Sequence, residues 1–273
     1  MTLETALLLC LLGLGVGTFG TLVGAGGGFI LTPALLLIYP HSTPELLTAI
    51  SLVAVFFNAS SGSAAYAYQR RIDYRSGAIF ALATLPGAIV GVLVAGRVSR
   101  PLFDVLMGIA LAGLGVWLVV GPGERLQPEL GPGTPRTLVD RRGETYSYRA
   151  RVGLGAALSV VVGFVSSFLG IGGGVVHVPV LVSLLGFPTH IATATSHFVL
   201  AFMALTAVAT HVYEGSFSGG AGVDRAAAIS VGIVIGAQAG AHLSQRLSST
   251  VIHRLLAFGL LALAIRLILS VTV

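Results

Sequence analysis

The sequence predicts an all-helical polytopic membrane protein built from two homologous halves of about five segments each, related as inverted repeats. Three observations predict it: long apolar runs without charge, a glycine-rich break that occurs twice, and further short matches between the halves in the same order. Hydrophobic residues fill 55% of the 273 positions and charged residues only 9%, with a mean hydropathy of +0.95, which no ordinary soluble domain reaches. No Asp, Glu, Lys or Arg occurs between Arg151 and Glu214, and shorter uncharged runs lie between Glu45 and Arg70, Arg75 and Arg97, Asp104 and Glu124, and Arg225 and Arg246. Each is about the ~20 residues that a helix needs to cross hydrocarbon, or a multiple of it. Barrel strands would alternate polar and apolar over about ten residues, whereas these runs are apolar on every face.

The first segment, 4 to 23, lacks the basic start of a signal peptide and runs into Gly24-Ala25-Gly26-Gly27-Gly28, so it reads as a span. The second, 28 to 39, holds Pro33 and stops near Pro40 and Pro44. It is too short to span comfortably and reads as a re-entrant or broken half-helix. Segments 45 to 67, 75 to 96 and 101 to 120 complete the first half. Residues 121–150 change character, with Pro122, Pro128, Pro132 and Pro135, several glycines and mixed charges, and read as a solvent-exposed, flexible linker. The second half opens with 152 to 169 and the second break, Gly170-Ile171-Gly172-Gly173-Gly174. A short segment, 174 to 187, carries Pro179 and ends at Pro188, and 190 to 212, 226 to 246 and 251 to 271 follow. The division is therefore 1–120, 121–150 and 151–273.

The breaks and their prolines are displaced by 146 residues, Thr48-Ala49-Ile50-Ser51 matches Thr193-Ala194-Thr195-Ser196 at 145, and Arg97-Val98-Ser99 matches Arg246-Leu247-Ser248 at 149. Conserved order with slowly drifting offsets is the mark of a duplication, the usual architecture of secondary transporters. The net charge of +5 comes from arginine alone, since there is no lysine. If each half crosses five times, eleven loop arginines share one side with the linker and three (Arg97, Arg100, Arg225) the other; with re-entrant short segments the split is ten to four. Both place the linker in the cytoplasm, and the first puts both termini outside. The arginines sit in the gaps between spans, which argues for orientation in a lipid bilayer and against nucleic-acid binding. Cys10 is the single cysteine, so neither an intrachain disulfide nor a cysteine-based metal site can form.

The breaks are the candidate site. Glycine runs end one helix and free the amides that open the next, and a helix start carries a partial positive charge of about +0.5 that attracts an anion. In an inverted repeat two such starts, at Gly24, Gly26, Gly27 and Gly28 and at Gly170, Gly172, Gly173 and Gly174, face each other near the midplane. The competing reading is close helix packing, which is favoured for the isolated pairs Gly87 with Gly91 and Gly236 with Gly240. Thr48, Ser51 and Asn58 in the first half, and Thr193, Thr195, Ser196 and His197 in the second, offer hydroxyl, amide and imidazole groups on the next span, several at helical spacing. Against this, a Ser or Thr hydroxyl commonly bonds its own helix, an ambiguity shared by Thr18, Thr21, Ser166 and Ser167. His177 and His197 lie at apolar depth, where an ionisable group is expensive; His41, His190, His211, His242 and His253 are expected at interfaces. Without nearby carboxylates no metal site is expected, and no cofactor. Gly15-Val16-Gly17-Thr18-Phe19-Gly20 fits a nucleotide-binding pattern and Asn58-Ala59-Ser60 a glycosylation acceptor, but both fall inside spans.

GAGGGFILTPALL from Gly24, GIGGGVVHVPVLV from Gly170, the TAIS and ATATSH stretches and RRIDY at Arg70 resemble the TauE/SafE family of sulfite and organosulfonate exporters. The resemblance covers nearly the whole chain outside the linker. It implies a multi-pass inner-membrane permease for small sulfur-containing anions and implicates the glycines of both breaks with Pro33 and Pro179; the copies differ at Leu31 and His177. The expected function is a secondary transporter, not an enzyme, with a small anionic substrate. An anion channel or a carrier of another anion are the alternatives. A coupling proton and a homo-oligomer are both compatible with the sequence. A membrane-embedded enzyme is disfavoured because Asp and Glu are confined to loops and segment ends.

Overall fold

The computed structural model describes residues 2–120, 133–218, 220–244 and 246, with scattered positions from 251 to 265. The assigned helices are α1 (Leu3–Val23), α2 (Gly28–Ile38), α3 (Pro44–Tyr68), α4 (Tyr74–Ala95), α5 (Arg100–Val120), α6 (Val152–Leu169), α7 (Gly174–Ser183), α8 (Thr189–Tyr213) and α9 (Ala221–Ser244). Among the described residues six of them, α1, α3, α4, α6, α8 and α9, are long and apolar enough to cross a membrane. The chain is an all-helical polytopic membrane protein. Local chemistry sets the helix bounds. Thr2, Thr43 and Asp73 cap α1, α3 and α4 by accepting from the amides of Thr5, Leu46 and Ser76, and α1 and α6 stop at the left-handed glycines Gly24 and Gly170. The short α2 and α7 have 11 and 10 residues. Arg100 donates to Leu36 O at the C-terminal end of α2 (2.8 Å) and to Ser42 O (2.9 Å) while paired with Asp104, a cation where the helix dipole is negative.

Two bounds differ from expectation. Helix α7 ends at Ser183, before 187, because Gly186 turns the chain at φ 83°. Helix α9 begins at Ala221, before 226, and carries Asp224 in its first turn, where the dipole favours an acid. The described positions of the tenth segment are helical; residues 121–132 of the linker and His253 lie outside the described residues.

The described part of the linker is a folded hairpin rather than flexible chain. Strands β1 (Thr134–Val139) and β2 (Thr145–Ala150) pair antiparallel around a turn at Asp140, whose Oδ1 accepts from the amides of Arg142 (2.8 Å) and Glu144 (3.0 Å). Arg71 reaches over from the α3–α4 loop to Asp140 Oδ2 (2.8 and 3.1 Å), and both side chains are nearly inaccessible. Burial alone would raise the Asp140 carboxyl, but the Arg71 guanidinium and the two amides outweigh it and hold it below its ordinary value. Tyr148 donates to Asp73 Oδ2 (2.9 Å) and packs its ring at a tilt against Phe187; burial and the Asp73 carboxylate both push its phenol up. Arg136 also approaches Asp73 (3.5 Å). The hairpin is thereby fastened to loops of both halves.

Close backbone contacts fix the helix directions. Gly13 and Gly17 of α1 lie on Ile229 and Ile233 of α9, while Gly232, Gly236 and Gly240 lie on Cys10, Leu14 and Thr18; residue numbers rise together, so the helices are parallel. Gly87 and Gly91 of α4 lie on Val160 and Phe164 of α6, again parallel. The isolated glycine pairs thus act in packing. Leu46, Ser61 and Tyr66 of α3 meet Gly222, Gln238 and Ser244 of α9, and Gly77 of α4 meets Thr195 of α8 while Val92 clusters with Ala207, so these two pairs are also parallel. In contrast α3 opposes α8, with Gly62 on His197 and Leu52 beside Ala207. It follows that α1, α3 and α9 run one way and α4, α6 and α8 the other. Helices in corresponding positions of the two halves, α1 and α6, α3 and α8, α4 and α9, run in opposite senses.

Candidate functional site

Both breaks fold the chain back over the end of the preceding helix. The amides of Ala25 and Gly26 donate to Gly20 O, and Ile171 N donates to Ser166 O. Gly24, Gly26, Gly27, Gly170 and Gly172 all have φ between 67° and 81°, a region that a side chain would strain, whereas Gly173 is right-handed at −62°. Helices α2 and α7 start immediately afterwards. The N–H groups of Gly28 and Phe29, and of Gly174 and Val175, precede any carbonyl of their own helix that they could reach.

The two breaks meet each other. A Cβ on Gly28 would stand 2.6 Å from the carbonyl carbon of Ile171, and one on Gly174 would stand 2.6 Å from Ala25 Cα. Either requires backbone to move, so glycine is needed here for close approach as well as for conformation. Val55, mid-way along α3, contacts Gly26, Gly28 and Gly172, and Leu200, mid-way along α8, contacts Gly26. The contact is fully buried between the middles of the two central helices.

Around this contact the polar residues of the first half are engaged. Ser51 Oγ (2.8 Å) and Thr32 Oγ1 (2.6 Å) both donate to Gly170 O of the opposite break. Thr48 donates to Glu45 O in its own helix (2.9 Å) with its methyl end against Gly170. Asn58 accepts from Thr21 Oγ1 (2.7 Å) and donates to Gly17 O (3.1 Å), and Tyr66 Oη donates to Thr21 O (2.8 Å). Thr18 bonds Leu14 O of its own helix.

The second half is different. Thr193 lies against Gly24 and Ser166 against Gly173, yet the hydroxyls of Thr193, Ser196, Ser166 and Ser167 are buried without a hydrogen-bond partner among the described residues. Such groups are rare in folded proteins and call for a reason. His197 bonds Thr193 O through Nδ1 (3.2 Å) and packs edge-on against Tyr66, while its Nε2 is unpartnered. Thr195 turns outward to accept from Asp73 N (3.0 Å) and so ties α8 to the α3–α4 loop. His177 faces α6 and α4, with Nε2 3.4 Å from Ser159 Oγ and its ring against Phe80, apart from the Gly28–Ile171 contact. His211, in the last turn of α8, is fully buried and bonds Ser216. Among the described residues no group of three or more His, Cys, Asp or Glu could hold a metal.

Sequence reasoning missed Thr32 and Tyr66. Thr32 was detectable as the lone hydroxyl in an apolar short helix, directly before the motif proline. Tyr66 carried no local signal, because its partners are 45 and 178 residues away.

A family profile described as sulfite exporter TauE/SafE matches residues 9–267. Among curated proteins, the probable membrane transporter protein YunE of Bacillus subtilis is 33% identical over 214 residues, 76% of this chain and 78% of the relative. A probable membrane transporter protein of Xylella fastidiosa is 28% identical over 64% of this chain and 62% of its own length. The probable membrane transporter protein MJ0441 of Methanocaldococcus jannaschii is 25% identical over 69% and 66%. No solved structure matches the chain.

Proposed function

The chain belongs to the sulfite exporter TauE/SafE family of membrane transporters, and from that premise we propose that it is a secondary carrier for small sulfur-containing anions such as sulfite or organosulfonates. The anion binds between the two halves where the breaks meet, and alternating access is a rocking of one half against the other about that contact. The opposed directions of corresponding helices support an inverted repeat, and the arginine distribution supports a cytoplasmic hairpin in an inner membrane.

One observation carries the reading: two helix starts converge at mid-depth beside buried hydroxyls that have no partner among the described residues, those of Thr193, Ser196 and Ser166. Helix starts offer amide donors and partial positive charge, and hydroxyls offer further donors, so a desolvated oxyanion finds hydrogen bonds without a full counter-charge. That suits a carrier, which must release what it binds. Within the site the role of Ser51 is to hold the Gly170 carbonyl, and the anion donors come chiefly from the second half. The test is binding and transport by the purified protein across sulfite, sulfate, thiosulfate, sulfoacetate and a neutral analogue. The charged sulfur compounds are expected to bind and be moved; equal binding of the neutral analogue overturns the anion site.

A further inference from the structure

At the end of the bundle away from the hairpin, three side chains from three elements form a hydrogen-bonded chain that the break region does not use. His211, in the last turn of α8, is fully buried, and its Nδ1 lies 3.0 Å from Ser216 Oγ in the following turn. Ser216 donates to Glu45 Oε1 in the first turn of α3 at 2.5 Å. Since the serine proton points to the carboxylate, its oxygen accepts, and His211 Nδ1 is the N–H donor. The other ring nitrogen, Nε2, is buried without a partner among the described residues. The order excludes an activated nucleophile, in which imidazole would stand between hydroxyl and carboxylate. Here the hydroxyl stands between, which is the order of a proton relay.

The relay runs from water to the interior. Glu45 is half-buried and lines a cavity of about 360 Å³ with Pro40, His41, Ser42, Thr43 and Arg100. His211 lies on one face of α8 with Ala207, Ala204, Leu200 and His197, at steps of three and four residues, all buried. Over about 21 Å of helix rise this face reaches the neighbourhood of Thr193 and Ser196. Other charged groups nearby are committed elsewhere. Arg100 is held by Asp104, Leu36 O and Ser42 O; Arg97 bonds Leu93 O; Arg225 covers the Tyr39 ring. Glu214 at the end of α8 and Asp224 on α9 are the remaining acids on the adjoining elements, His41 lines the cavity, and among the described residues Glu45 is in no ion pair.

We propose that Glu45, Ser216 and His211 form a proton-binding relay through which transport is coupled to a proton gradient, loaded from the end of the bundle opposite the hairpin. The proposal rests on the carrier reading above. The observed hydrogen bonds are those of the loaded state; before loading, Glu45 is protonated and donates to Ser216, Ser216 donates to His211 Nδ1, and the neutral ring carries its hydrogen on Nε2. In the loading step the Glu45 carboxyl gives its proton to the Ser216 oxygen, and Ser216 passes its own proton to His211 Nδ1. The products are a carboxylate, an unchanged serine and an imidazolium whose Nε2–H is buried on the α8 face that leads to the breaks. Only O–H and N–H bonds change, and the reverse step unloads the site.

The test uses the full chain in proteoliposomes with sulfoacetate, a probe whose charge stays constant between about pH 6 and 8. Two assays are compared: uptake driven by an imposed pH gradient, and one-for-one exchange at equal pH, which needs no net proton movement. His211→Gln and Glu45→Gln are expected to lower gradient-driven uptake about tenfold or more while exchange stays within about twofold of the unmodified chain. Ser216→Ala should behave like them, and Ser216→Thr, which keeps the hydroxyl, should restore coupling. Gradient-driven uptake at the unmodified level in both His211→Gln and Glu45→Gln overturns the relay, as does parallel loss of uptake and exchange. If the unmodified chain exchanges no sulfur anion, the carrier reading itself falls, and the relay with it.

Discussion

The two halves repeat one another in sequence but handle their polar groups in opposite ways. Ser51 and Ser196 occupy matching positions, yet Ser51 donates to Gly170 O while Ser196 has no partner among the described residues. Thr21 bonds Asn58, whereas its counterpart Ser167 is unpartnered and Met203 stands where Asn58 would be. Gly27 is left-handed and Gly173 is not. The difference teaches that a duplicated motif need not be a duplicated site. One half has become a hydrogen-bonded frame that fixes the opposite break, and the other keeps buried donors unspent, each at a cost of about 1–3 kcal/mol. In the proposed carrier, an anion bound beside the helix start is what repays that cost.

The largest effect should come from the contact that both halves share. Gly174→Val drives a side chain into Gly24 O and Ala25 and should abolish transport, while Gly173→Ala, whose Cβ meets nothing closer than 3.1 Å, should retain much of it. Transport assays on both, with a check of membrane insertion, decide the matter. Equal loss in the two would mean that the break as a whole, and not its contact, is what matters.

The hairpin, which is fastened to both halves, comes next. Asp140→Asn leaves Arg71 buried without its carboxylate and should weaken hairpin docking by about 3–5 kcal/mol, readable as protease sensitivity around 134–150. The pH dependence has a definite sign. Because the folded Asp140 carboxyl titrates below its ordinary value, its contribution is complete above the ordinary Asp range and is lost as pH falls through the lowered folded value. Acid should therefore loosen the hairpin in the unmodified chain and have less effect in Asp140→Asn.

Smaller effects separate the halves directly. Ser196→Ala or Thr193→Val removes an unspent donor and should weaken anion binding about tenfold, some 1.4 kcal/mol, with thermal stability unchanged or slightly raised. Ser51→Ala, by contrast, removes one of two donors to Gly170 O and should cost stability of about 1 kcal/mol, with binding affected less. If Ser51→Ala weakens binding more than Ser196→Ala does, the assignment of frame and site to the halves is reversed.

Much of the fold was legible because membrane spans are written in composition. Uncharged runs and glycine breaks located α1 to α8 to within a few residues. The hairpin was missed because prolines and glycines at 122–135 coloured the whole linker. Its own signal was present in the alternation of TLV and TYSY about the Arg142-Gly143 turn, which marks two short strands. Within the site the glycines and the hydroxyls were legible as types, but His177 and His197 looked alike in sequence and have different surroundings, one against Ser159 and Phe80, the other against Tyr66.

The sequence by itself determined that the chain crosses a membrane in two homologous halves and that both carry a glycine break before a short helix. Hydrophobicity and glycine's freedom are local properties, and each residue brings them wherever it lies. Only the tertiary structure decided which hydroxyls are already bonded and which are not, and that Glu45, Ser216 and His211 meet across 171 residues of chain. Hydrogen bonding is a relation between groups, so whether a buried donor is spent depends on what the other half brings beside it.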